Sequence, residues 1–150
     1  MSEAILKAMM QLFALIVDID EIQEVSEKER DIIRAFLSRQ LNTELTAKYM
    51  SIFENYLYHY HHDAIDKQSV KRKKRTSLTA VRILSICEQI NEELEQRQKI
   101  YVIIQLVEYI AYVIEIRETE LEFLQTVATA VNIDEEEYQE ILYFVVYHLK

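Results

Sequence analysis

Residues 100–116, Ile100-Tyr101-Val102-Ile103-Ile104-Gln105-Leu106-Val107-Glu108-Tyr109-Ile110-Ala111-Tyr112-Val113-Ile114-Glu115-Ile116, decide the fold class. The run is the most apolar in the chain, yet Gln105, Glu108 and Glu115 break it too often for a membrane span. Ile100, Ile103, Ile104, Val107, Ile110 and Ala111 recur at three- and four-residue steps, the period of a helix with one inward side. The stretch therefore predicts a helix buried inside a soluble domain.

The same pattern returns near the start of the chain. Gln11-Leu12-Phe13-Ala14-Leu15-Ile16-Val17 aligns with Gln105-Leu106-Val107-Glu108-Tyr109-Ile110-Ala111, and Glu27-Lys28-Glu29 aligns with Glu118-Thr119-Glu120. Two three-helix units related in this way each leave an apolar face that the other can cover, so the expected architecture is all-α, about seven helices in two pseudo-twofold-related repeats. Chance likeness between amphipathic helices is the competing explanation of the match.

Capping signals and apolar periods place the remaining elements. Ser2 opens a helix with Ile5, Met9, Leu12, Phe13, Ile16 and Val17 inward, and Ser26 with Glu29 forms a capping box ahead of Ile32, Ile33, Phe36 and Leu37. Asn42 caps a third helix carrying Leu45, Tyr49, Ile52, Phe53 and Tyr56, which runs out near His62. Residues 63–76 are polar, basic and aperiodic and read as the longest loop. A linker helix over about 77–94 then uses Leu78, Val81, Leu84, Ile90 and Leu94, and a fifth helix starts near Gln96. A sixth runs from about Arg117 through Leu121, Leu124 and Val127, and a seventh starts at Asp134, which pairs with Glu137 in a second cap. The expected organisation is one domain over 1–150, with repeat one at about 3–62 and repeat two at about 96–149.

Composition limits the chemistry. Among 150 residues there is no Gly and no Pro, so phosphate loops, dinucleotide fingerprints and nucleophile elbows, which need Gly where backbone turns sharply or meets a ligand, are disfavoured. The single cysteine, Cys87, lies among Ile83, Leu84, Ile86 and Ile90 and reads as a buried reduced thiol, a poor nucleophile suited to a reducing compartment. Neither an export signal nor an anchor is expected. The net charge of −9 argues against broad binding to nucleic acid or anionic lipid.

Three clusters are candidate sites. The first is the acidic stretch Asp18, Asp20, Glu24 and Glu29, a partial match to a helix–loop–helix calcium pattern in which Ile22 and Gln23 stand where an oxygen ligand and a Gly belong. These carboxylates could hold a divalent cation, or could simply favour the positive end of the second helix. The second is Tyr56-Leu57-Tyr58-His59-Tyr60-His61-His62-Asp63, where His59, His62 and Asp63 have the spacing to share a transition metal, and where imidazoles also suit a helix C-terminus without one. The third is Lys71-Arg72-Lys73-Lys74-Arg75, five consecutive cations able to meet phosphates, anionic lipid or an acidic partner. No aromatic residue lies within that run to stack a base, so a nucleic-acid partner is not expected. The carboxylates at Glu118, Glu120, Asp134 and Glu137 read as caps rather than proton-transfer pairs.

Val25-Ser26-Glu27-Lys28-Glu29, echoed by Ile116-Arg117-Glu118-Thr119-Glu120, resembles the TerB-like helical domain of tellurite-resistance proteins. Lys74-Arg75-Thr76-Ser77-Leu78 and Ile86-Cys87-Glu88-Gln89-Ile90-Asn91-Glu92-Glu93-Leu94 look more particularly like the TerB-like region at the start of certain bacterial ABC-type ATP-binding proteins. The resemblance implies an all-α fold of pseudo-twofold units, membrane-associated stress or transport complexes, and metal binding through loop acids. Glu29 and Glu120 match the family's helix-start acid, and Asp18 and Asp20 are approximate counterparts of its loop acid. The family's Asp-Gly pair is absent, and Val113 stands at the matching place in the second half.

The resulting expectation is a non-enzymatic interaction or regulatory domain, cytoplasmic or at the inner face of a membrane. It would dock on a protein partner such as an ABC-type ATPase, and is compatible with homo-oligomers. A divalent-cation-sensing module built on Asp18, Asp20 and Glu29 is the alternative. The chain end Phe144-Val145-Val146-Tyr147-His148-Leu149-Lys150 stays apolar to the last residue, which suggests a tucked final helix or a domain cut from a longer protein.

Overall fold

The computed structural model describes residues 3–19, 27–66, 72–113 and 118–148, with side chains described for all of these except 17–19, 61–66, 72–79, 112–113 and 148. Among the described residues the chain forms seven α-helices and no strand: α1 (Glu3–Ile19), α2 (Glu27–Ser38), α3 (Thr43–Asp66), α4 (Arg72–Glu93), α5 (Gln96–Val113), α6 (Glu118–Ala130) and α7 (Glu135–His148). The all-α reading holds, and none of the described helices is long and apolar enough to cross a membrane.

Three of the seven helix starts follow the capping logic. The Asn42 Oδ1 accepts a hydrogen bond from the Leu45 amide at 2.8 Å, which satisfies one of the first-turn donors of α3. At the start of α5 the side-chain oxygen of Gln98 reaches back to the Glu95 amide at 3.0 Å, and Lys99 N closes the first helical bond on Glu95 O. Tyr138 N does the same on Asp134 O, so Asp134 sits at the cap position of α7. Ser2, Ser26 and Arg117 lie outside the described residues.

The expected loop at 63–76 is corrected. The helix α3 continues to Asp66 and α4 opens at Arg72, which leaves only 67–71 between them and outside the described residues. The reason is propensity. Lys and Arg are good helix formers, and with no Gly or Pro to stop it a polar segment can stay helical without any apolar period.

Two helices occupy the centre. On α1 the expected stripe of Ile5, Met9, Leu12, Phe13 and Ile16 is buried, but so are Leu6, Ala8, Met10, Ala14 and Leu15, so that only a narrow strip through Glu3, Lys7 and Gln11 reaches the surface. The helices α3, α4, α5 and α6 all pack on it. The second central helix is α5, whose Val102, Ile103, Leu106, Val107, Tyr109 and Ile110 are buried together with Gln105. Phe13 joins the two centres, with its ring 5.0 Å from that of Tyr109 and 5.9 Å, edge-on, from that of Phe36 in α2.

The inward side of α4 differs from expectation. Ile83, Ile86, Cys87, Ile90 and Leu94 are buried, whereas Val81 and Leu84 stand 63% and 56% exposed. Both sets are apolar at helical spacing, and the side that meets α1 and α6 decides which is covered. Leu45 and Leu121 are likewise exposed.

The turn after α6 solves a problem set by the absence of Gly. Asn132 has φ of 63°, in the left-handed region that Gly ordinarily supplies. Ile133 N bonds Ala128 O at 2.9 Å and Asn132 N bonds Thr129 O at 3.1 Å, the paired bonds of a Schellman closure. The corner is tied to α4 and α5, because the Asn91 side-chain amide donates to Ala130 O at 2.7 Å and that of Gln96 donates to Asn132 O at 3.2 Å. Asn132→Ala is expected to lower stability by about 1 kcal/mol, and Asn132→Gly to stay close to the parent. Urea denaturation of the two variants reads the difference, and equal losses would assign the effect to the hydrogen bond that the Asn132 side-chain amide donates to Asn91 Oδ1 at 3.5 Å rather than to the backbone.

Candidate functional site

Of the acidic quartet, only Glu29 has a described side chain. Asp18 contributes described backbone at the end of α1, while its side chain and the whole of Asp20 and Glu24 lie outside the described residues. Glu29 stands in the first turn of α2 and is only 5% exposed, and its counterpart Glu120 in the first turn of α6 is 2% exposed. Both are therefore turned inward at the end of a helix whose amide dipoles favour negative charge. Neither is isolated from neighbouring groups. Next to Glu29, Arg30 donates from Nε to Glu54 Oε1 at 2.6 Å, which raises the guanidinium's pKa and ties α2 to α3.

The described part of the histidine cluster places Tyr56 and Tyr60 on one side of α3 and His59 on another. The aromatic rings of Tyr56 and Tyr60, four residues apart, stack at 6.1 Å. Gln11 of α1 donates to the Tyr56 hydroxyl at 2.7 Å, and the guanidinium of Arg82 in α4 lies 4.5 Å from the centroid of the Tyr60 ring. His59 points the other way, exposed and edge-on to Tyr58 at 5.9 Å. The side chains of His62 and Asp63 lie outside the described residues. Among the described residues no group of three His, Cys, Asp or Glu is placed to hold a metal ion.

The basic run is placed only by its backbone. Arg72, Lys73, Lys74 and Arg75 form the opening turn of α4, and Lys71 precedes the described segment. Cations at that end of a helix oppose the dipole rather than complement it. Cys87 is buried as expected, and burial pushes its thiol up to about 12.

The exposed apolar surface was less legible. The helix α7 buries Tyr138, Ile141 and Val145, but Tyr143, Phe144 and Tyr147 are 60%, 54% and 71% exposed, with the two tyrosine rings stacked at 4.7 Å. The apolar chain end is thus tucked at Val145 and open at Phe144 and Tyr147. Beside these aromatics an open groove of ≈ 740 Å³ is lined by Glu136, Gln139, Glu140, Tyr143 and Phe144. A second groove of ≈ 490 Å³ runs between α4 and α6, lined by Leu84, Glu122, Gln125, Thr126, Thr129 and Ala130. The signal for the α7 surface lay in the sequence, since 143, 144 and 147 fall out of step with the inward 138, 141 and 145. Exposed aromatic clusters of this kind are characteristic of surfaces that meet other proteins. No protein-family model, curated protein or solved structure matches the chain.

Proposed function

We propose that the chain is a non-enzymatic interaction or regulatory domain, TerB-like in organisation, that docks on a larger cytoplasmic or membrane-peripheral assembly of stress response or transport, with an ABC-type ATPase as the partner. The observation that carries this reading is the exposed aromatic surface of α7, formed by Tyr143, Phe144 and Tyr147. The two-repeat organisation is supported by reciprocal packing. The helix α1 packs on α3 as α5 packs on α7, and α2 meets α5 as α6 meets α1. The matched burial of Glu29 and Glu120 follows the same exchange.

The test begins with the reading frame past Lys150 and its neighbours. An ATP-binding protein with a Gly-rich phosphate loop encoded there is the expected partner, and the purified chain should form a stoichiometric complex with it by light scattering. A well-folded ATPase of that kind that forms no complex would sink the docking reading.

The second reading, a divalent-cation sensor using Asp18, Asp20, Glu24 and Glu29, is favoured by the inward aim of Glu29 at the end of the acidic stretch. A cation that binds only the folded form must raise the melting temperature. Melts unchanged by calcium, magnesium and manganese would dispose of it.

A further inference from the structure

We propose that the outward strip of α7 is a docking site for a basic amphipathic helix, an inference that rests on the interaction reading above and names the chemistry of the partner. Glu136, Glu140, Tyr143, Phe144 and Tyr147 recur at three- and four-residue steps, so they lie along one side of α7, and all five are exposed. The strip is about 16 Å long at the rise of an α-helix, the length of three turns of a partner helix laid beside it. Its polar end is uniformly negative, since α7 carries Glu135, Glu136, Glu137 and Glu140 and no Lys or Arg. Its other end is aromatic. A partner helix that sets apolar side chains against Tyr143, Phe144 and Tyr147 would bring its next turn beside Glu136 and Glu140, where Lys or Arg pairs with carboxylate. Arginine can also lie over an exposed tyrosine ring.

Charge separates this occupant from the others. An anionic lipid surface would be repelled by the acids at one end of the strip and by a chain of net charge −9. A second copy brings the same net charge and the same carboxylates to the contact. The groove beside the strip, lined by Glu136, Gln139, Glu140, Tyr143 and Phe144, provides the concavity in which the apolar anchors would sit.

The experiment uses a fluorescein-labelled helical peptide of leucine and lysine, about fifteen residues long so that a helix can form, and a twin with glutamate in place of lysine. Fluorescence anisotropy with the whole chain is expected to show binding of the lysine peptide that weakens with salt, and none of the glutamate peptide. Y143S/F144S and Glu136→Lys/Glu140→Lys should each weaken binding about tenfold or more, the loss expected when an anchor is removed. Glu88→Lys/Glu92→Lys, exposed on α4, makes the same change in net charge and should weaken it less than about threefold. Circular dichroism confirms that each variant is folded. Equal losses from the α7 and α4 reversals, equal binding of both peptides, or a dimer dissolved by Y143S/F144S would overturn the proposal. Failure here stays distinct from failure of the wider reading, because an ATPase complex that survives Y143S/F144S removes the strip and keeps the docking domain.

Discussion

Replacing Phe13 with alanine is expected to destabilise the domain by about 3–5 kcal/mol, the range for truncating a fully enclosed aromatic ring. Phe13 is 1% exposed and its ring packs on those of Phe36 of α2 and Tyr109 of α5, so the substitution removes a contact that joins the two central helices and α2. The vacated space cannot readily collapse, because α1 is held on its other sides by α3, α4 and α6. Domains of this size are stable by about 5–15 kcal/mol, so the variant should keep its helical spectrum while its urea midpoint falls steeply. Phe13→Leu should recover most of the loss. A midpoint within experimental error of the parent would show that α1 and α5 are not joined as described.

Cys87 gives the second large effect, in kinetics. Desolvation on α4 raises the thiol from 9.0 to about 12, which lowers the thiolate fraction at pH 8 about 10³-fold, and at 1% exposure the sulfur is also closed to a thiol-disulfide reagent. The native protein should therefore release no chromophore on the timescale in which denatured protein reacts completely. Burst labelling of the native state would overturn the placement of α4. The same shift gives a pH dependence of stability. The unfolded chain releases this proton near its ordinary value and the folded chain holds it, so stability is whole below about pH 9 and declines as pH rises towards 12. Tyr138, raised from 10.0 to about 12 by burial, adds a decline in the same direction over the upper part of that range.

Helix content was legible because apolar residues at helical spacing alternate with side chains able to close helix ends. Asn42, Asp134 and the start at Gln96 fall where the residues alone place them, since a cap is a local interaction. What periodicity does not carry is which of two apolar sides is covered. On α4 the sequence offers Val81 and Leu84 as readily as Ile83 and Ile86, and only the neighbours α1 and α6 make the choice. The segment around Arg72 was missed as helix for the opposite reason, because a helical turn made of polar residues leaves no apolar trace. Of the candidate metal ligands, Glu29 and His59 are placed, one turned inward and the other outward, as residues of two separate helices. Sequence proximity had suggested nothing about that difference in direction. On α7 the spacing separates 143, 144 and 147 from 138, 141 and 145, but α7 must be docked on α5 before it is known which of the two sets is covered.

The enclosure of α1 has a consequence for biosynthesis. Its neighbour α6 is translated about a hundred residues later, which at ribosomal speed leaves α1 waiting roughly five to twenty seconds for that part of its shelter. Apart from the strip through Glu3, Lys7 and Gln11, what α1 presents up to Ile16 meanwhile is apolar. An apolar helix left uncovered for that long is expected to engage holdase chaperones during synthesis, which their recovery with ribosome-bound chains would show.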